Sequence, residues 1–95
     1  MSKLRESARG QECQVRIPDS CNFDPKTTVL AHLNSGGIGQ KASDLHGAFC
    51  CSSCHDVLDG RVAATRKSQL EIKFYHLEGV IRTQKLWLEM GLISF

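Results

Sequence analysis

No apolar run in this chain approaches the roughly 18 residues of a membrane span, so no membrane partner is expected. Its first residues, Met1-Ser2-Lys3-Leu4-Arg5-Glu6-Ser7, lack the apolar core of a secretory leader. There are no internal repeats and no low-complexity tracts. The Gly-rich stretch Asn34-Ser35-Gly36-Gly37-Ile38-Gly39-Gln40 lacks the spacing and the Lys of a phosphate-binding loop and reads as a plain connection. Large net charge is missing as well. The formal value is +2, and it falls to zero if four thiolates hold one dication. Total charge therefore argues for no nucleic-acid partner, and only local basic patches can.

What is present is cysteine. Five occur in 95 residues. The odd count and the missing leader predict a reducing cytoplasm, where clustered thiols bind metal more often than they pair. A chain this short makes one domain, 1–95, with a small core that a metal would help to hold. Cys51-Ser52-Ser53-Cys54 is a C-x2-C step suited to zinc. The second pair is expected to be Cys13 and Cys21, although seven residues between them exceed the usual spacing. Four thiolates close a tetrahedral shell, so this Zn2+ would be structural. Cys50 is expected to point away as a small buried hydrophobe.

The elements predicted around these cysteines are mixed. Residues 2–9 read as a short basic helix stopped by Gly10. Gln14-Val15-Arg16-Ile17 reads as a strand ended by Pro18, and Thr27 to Leu33 as a second strand antiparallel to it. Residues 52–59 read as a short helix ended by Gly60. Ser68, with Glu71 three residues on, predicts a capping box and a long helix to Gly91. Leu70, Phe74, Leu77, Ile81 and Leu88, widened by Val80 and Trp87, predict its core stripe or a dimer face. Gly79 interrupts it, and Leu92-Ile93-Ser94-Phe95 reads as a short terminal strand. The class is α+β.

Two of the four histidines stand in suggestive places. His32 falls on the second strand before the Gly-rich loop, and His55 on the helix that starts at the C-x2-C step. Together they predict two imidazoles facing one cleft. One can act as general base on water while the other binds a divalent ion that stabilises phosphodiester cleavage. His46 and His76 have no comparable setting, and His76 is expected to be an exposed or half-buried helical residue. Lys3, Arg5, Arg9 and Arg16, with Arg61, Arg66 and Lys67, are candidate phosphate contacts on DNA.

The order Cys…Cys, strand-borne His, acidic residue, C-x2-C-His resembles the zinc-bearing HNH (His-Me finger) nucleases. Ala8-Arg9-Gly10-Gln11-Glu12-Cys13-Gln14-Val15-Arg16-Ile17-Pro18, Val29-Leu30-Ala31-His32 and Cys51-Ser52-Ser53-Cys54-His55-Asp56 resemble the small prophage-encoded nuclease family typified by YbcO. Leu77-Glu78-Gly79, Arg82-Thr83-Gln84 and Trp87-Leu88 fit it too. Phage recombination-enhancing nucleases are similar at a greater distance. The resemblance implies a zinc-stabilised ββα-metal domain with a long C-terminal helix, acting as an endonuclease on DNA in phage recombination or DNA processing. It implies that Cys13, Cys21, Cys51 and Cys54 hold zinc and that His32 is the general base. It implies that His55 and Asp44 bind a catalytic Mg2+ or other divalent ion, with His46 as the alternative to Asp44. One position departs from the pattern. Many HNH proteins carry a metal-binding Asp or His just before the first His, and here that residue is Ala31, which leaves the ion one ligand short. The competing expectations are a non-catalytic zinc module that binds DNA or a phage or host recombination protein, and a structural zinc domain whose long helix forms a homodimer.

Overall fold

Ser68 starts the longest element. Its hydroxyl accepts from the Glu71 N–H at 3.1 Å, and the Glu71 carboxylate accepts from the Ser68 N–H at 3.3 Å. This reciprocal pair satisfies two donors that a helix start leaves open. In the computed structural model, which describes residues 3–33, 43–62 and 67–94, the helix α3 runs Gln69–Met90. It ends where Gly91 turns to φ 77° and the Leu92 N–H reaches back to the Trp87 carbonyl at 2.9 Å, a left-handed stop that favours glycine. Residues 92–94 form no strand, contrary to the expectation for this tail; Phe95 lies outside the described residues.

Before α3 come α1 (Lys3–Ser7), β1 (Val29–His32), β2 (Gly47–Cys50) and α2 (Ser52–Leu58). The two strands pair antiparallel, with Val29 opposite Cys50 and His32 opposite Gly47. All four residues of β2 are buried. The strand lies between β1 and α3, and the Phe49 N–H donates to the Thr83 hydroxyl of α3 at 3.0 Å. The result is a small α+β fold with a two-stranded sheet and a long C-terminal helix.

Two sequence expectations are corrected here. Gln14–Ile17 is not a strand. Arg16 sits at φ 52°, which breaks an extended run, and the segment touches the sheet through the Gln14 N–H to the Phe49 carbonyl at 2.7 Å. The partner of β1 is therefore β2, although Val15 and Ile17 are still wholly buried. The second concerns α3, where the expected core stripe holds at Val80 and Trp87 and fails as core at its four leading positions. Leu70, Phe74, Leu77 and Ile81 are 79%, 58%, 44% and 67% exposed, while His76, Gly79, Val80, Thr83 and Trp87 are buried. At Gly79 the Val15 segment and Ala48 of β2 approach too closely for a side chain, while Trp87 on the same buried face fills the smaller core cluster.

The core has two parts. The larger gathers Val15, Ile17, Ala31, Ala48, Val57 and Val80 with the buried thiols. The smaller joins Ala8, Phe49 and Trp87. In it the Phe49 and Trp87 rings meet edge to face, 5.8 Å between centroids, and the indole N–H donates to the Ser7 hydroxyl at 2.8 Å. This contact ties α1 to the far end of α3. No helix among the described residues is long and apolar enough to cross a membrane.

Candidate functional site

The C-x2-C step sits where β2 passes into α2. Cys51 is the N-cap of α2, its sulfur accepting from the Cys54 N–H at 3.4 Å. Cys13 heads a matching turn, its sulfur accepting from the Arg16 N–H at 3.4 Å. Left-handed residues at Arg16 and Asp19 fold the intervening segment back, which brings Cys21 to the same place despite the long spacing. Cys13, Cys21, Cys51 and Cys54 place their sulfurs within 4.8 Å of one another. The fit to zinc can be tested on geometry. A Zn–S bond of about 2.3 Å sets neighbouring sulfurs of a tetrahedron about 3.8 Å apart, and the Cys21 and Cys51 sulfurs are 3.7 Å apart. Four thiols this close, with one pair at tetrahedral edge length, can hold one metal ion.

Electrostatics agrees. Hydrogen bonds from the Cys50 and Cys54 thiols pull the Cys13 pKa far down, and sharing with Cys13 pushes Cys54 up. Burial pushes the Cys21 thiol up to about 11. Without a cation the cluster resists multiple ionisation, and a dication is what would offset that. Cys50 is fully buried, as expected of a small hydrophobe. It does not point clear of the cluster, however: its thiol interacts with those of Cys13 and Cys54, which raise its pKa.

The histidines lie on the elements that flank this cluster. His32, at the end of β1, has its Nε2 2.6 Å from Asp44 Oδ1. The same oxygen lies 3.3 Å from Arg5 Nε on α1. Asp44 opens a short 3-10 turn capped by the Ser43 hydroxyl, which aims the carboxylate at the strand. His46, in the same turn, is exposed. His55, on α2, faces Asp59 one turn on, Nε2 to Oδ2 at 3.4 Å. Asp59 also takes an ion pair from Arg61 at 3.1 Å. Among the described residues no second group of three metal-binding side chains comes as close together as the thiols.

His76 is the residue the sequence reading missed. It is buried, and its Nε2 lies 2.9 Å from the Ala31 carbonyl of β1. Burial lowers its pKa, the hydrogen bond to Ala31 opposes that, and the charges of His55, Asp59 and His32 all reach it. Asp59 was missed as well, although its place four residues after His55 was readable. Ala31 is 2% exposed, so its methyl group faces the core.

The basic residues divide. Arg5 and Arg9 line an open groove of about 430 Å³ with Thr28, Val29, Leu30 and His32. Lys3 is exposed on α1. Arg16 binds back to the Cys13 carbonyl and the Gln14 side chain, both at 3.2 Å, and so braces the thiol turn. Arg61 pairs with Asp56 and Asp59. Lys67 is half-buried before α3, and Arg66 lies outside the described residues.

Comparison with known proteins gives a consistent result. The family model described as "Putative nuclease YbcO" matches residues 2–92. The chain is similar to "Putative nuclease YbcO" of Escherichia coli (strain K12), 46% identical over 97 residues and covering 99% of each chain. It is equally similar to the protein of the same description from Enterobacteria phage 82. A solved structure, "Structure of a putative bacteriophage protein from Escherichia coli str. K-12 substr. MG1655", superposes with a TM-score of 0.78 at 44% identity. The match covers 94% of this chain and all of that one.

Proposed function

The chain belongs to the YbcO nuclease family, and from that membership and its histidine geometry we propose that it is a metal-dependent HNH-type endonuclease that hydrolyses DNA phosphodiester bonds. The observation that carries the proposal is the 2.6 Å contact between His32 Nε2 and Asp44 Oδ1. With Nε2–H donating to the carboxylate, Nδ1 keeps the lone pair. His32 can then take a proton from a water molecule aligned on a phosphodiester. Asp44, braced by Arg5, holds the ring in that tautomer and partly balances the imidazolium that forms. Asp44 therefore acts here as a positioning residue, although the family resemblance suggested an ion ligand.

Arg5 and Arg9 frame the groove beside His32 and suit a phosphate backbone. No side chains here spell a base-reading pattern, so weak sequence preference is expected. His55 offers an imidazole ligand on the helix that the thiol cluster anchors. A divalent ion bound there would polarise a phosphate oxygen and stabilise the leaving oxygen. The thiol cluster would hold Zn2+ as a structural ion. The proposed setting is phage recombination or DNA processing, with a phage or host recombination protein as the further partner.

The test is nicking of supercoiled and branched DNA by zinc-loaded protein with Mg2+ or Mn2+. His32→Ala should reduce the rate by about 10²–10⁴-fold. No cleavage by the wild type with any divalent ion would reject the enzyme reading, and equal cleavage by the variant would remove His32 from the mechanism. One observation favours a second reading. Ala31 is buried and offers no ligand next to His32, which suits a zinc module that binds DNA or a recombination protein without cutting. That reading expects binding unchanged by His32→Ala and His55→Ala but weakened when Arg5 and Arg9 are replaced.

A further inference from the structure

We propose that a divalent cation binds the His55–Asp59 pair on α2, so that Asp59, rather than Asp44, is the carboxylate ligand of the ion in the proposed cleavage. The role in cleavage rests on the nuclease reading; the binding site itself does not.

Four residues separate the two side chains, which places them on one face a turn apart. Asp59 is the C-cap and keeps helical backbone angles, φ −84° and ψ −3°, so the spacing persists to the end of α2. Two adjacent ligands bonded to one ion at about 2.1 Å stand about 3 Å apart. His55 Nε2 and Asp59 Oδ2 are 3.4 Å apart, so a small side-chain adjustment closes them on an ion. The base of the helix is fixed. Cys51 caps α2 and Cys54 lies in its first turn, so a metal in the thiol cluster would hold the helix that carries the pair.

Asp44 is less suited. Its Oδ1 already meets both His32 Nε2 at 2.6 Å and Arg5 Nε at 3.3 Å, and a cation on that oxygen would compete with both. Among the described residues the cationic competitor at Asp59 is Arg61, at 3.1 Å. Arg61 also holds Asp56 at 3.0 Å, so an ion can take Asp59 without leaving the guanidinium unpaired. In the proposed cleavage Asp59 supplies the anionic ligand that Ala31 cannot. One imidazole and one carboxylate suit Mn2+ or Mg2+, with most of an octahedral shell left for water and phosphate oxygens.

The experiment is a Mn2+ titration of zinc-loaded protein, following free Mn2+ by electron paramagnetic resonance. Wild type, Asp59→Asn, His55→Asn and Asp44→Asn are compared, with zinc content and circular dichroism checked for each. Asp59→Asn and His55→Asn should each weaken binding about tenfold or more, as loss of a metal's protein partner does, and Asp44→Asn should leave it unchanged. In the wild type, Mn2+ should broaden the amide resonances of residues 55–59 before those of 43–46, which needs no variant to fold. Wild-type affinity in Asp59→Asn, loss confined to Asp44→Asn, broadening centred on 43–46, or no Mn2+ binding at all would each overturn the proposal. Mn2+ held through Asp59 by a protein that cuts no DNA would reject the nuclease reading and leave the site standing.

Discussion

Burial keeps the His76 imidazole neutral. Its pKa is lowered from the ordinary 6.5, first by desolvation, and the bond to the Ala31 carbonyl does not fully compensate. The unfolded chain therefore binds the proton more readily than the folded one. The contribution to stability is intact above about pH 6.5 and is lost as pH falls below that value toward the lower folded pKa. Urea unfolding midpoints should drop on acidification across this window, and His76→Gln, which keeps an N–H for Ala31, should flatten the dependence. An unchanged slope in the variant would assign it to other groups. Gly79 raises a steric question instead. A Cβ there would stand 2.9 Å from Val15 Cγ2, 3.1 Å from the Val15 Cα and 3.2 Å from the Ala48 Cβ. The gain in helix propensity from Gly to Ala is about 1 kcal/mol, whereas overpacking costs about 1–3 kcal/mol. Since backbone is among the atoms that must move, Gly79→Ala should be net destabilising. Its Tm should fall by several degrees, and an increase would mean that the Val15 segment yields easily. The interruption in the helical pattern is thus the point where the N-terminal segment and β2 press against α3.

The long helix shows which signals in a sequence are physical and local. Ser68, Glu71 and Gly91 announced both ends of α3, because caps act within a turn of backbone. The C-x2-C step and α2 were legible for the same reason. Which face of α3 is buried was not legible. The apolar repeat Leu70, Phe74, Leu77, Ile81 named a face that lies exposed. The buried face is His76, Gly79, Val80, Thr83 and Trp87, where the expected Val80 and Trp87 are joined by His76 and Thr83, which hydrogen-bond to β1 and β2. Cys21 reaches the thiol cluster past left-handed residues at Arg16 and Asp19, of which Arg16 falls in the segment expected as a strand. The His32–Asp44 contact depends on residues twelve apart meeting in space, and only the family resemblance pointed to it. A stability measurement can check the reassigned face. Ile81→Lys on an exposed helix surface should change unfolding free energy by no more than about 0.5 kcal/mol. Val80→Ala, one residue along but buried, should cost about 1 kcal/mol or more. A loss at Ile81 that grows with protein concentration would identify the stripe as an interface between copies of this chain.

At the scale of the whole molecule the thiol cluster and the core are one structure. Cys13, Cys51 and Cys54 are buried within the larger core cluster, beside Val15, Ile17 and Val57. They join the irregular N-terminal segment, the end of β2 and the start of α2. Among the described residues the sheet has two strands, and the N-terminal segment reaches it through the backbone bond from Gln14 to Phe49. Small zinc domains draw about 10–16 kcal/mol from the ion at neutral pH, against the roughly 5–15 kcal/mol of net stability of an ordinary domain. Removing an ion held there would therefore withdraw about as much free energy as the fold possesses. A strong chelator at neutral pH should unfold the protein cooperatively, with one zinc released per chain and refolding on its return. Because ligation expels thiol protons, zinc affinity should weaken as pH falls. Cys13→Ser and Cys54→Ser should each mimic chelation, while Cys50→Ala should keep zinc and lose only packing. Circular dichroism unchanged after verified zinc removal would show that the two core clusters suffice without the metal.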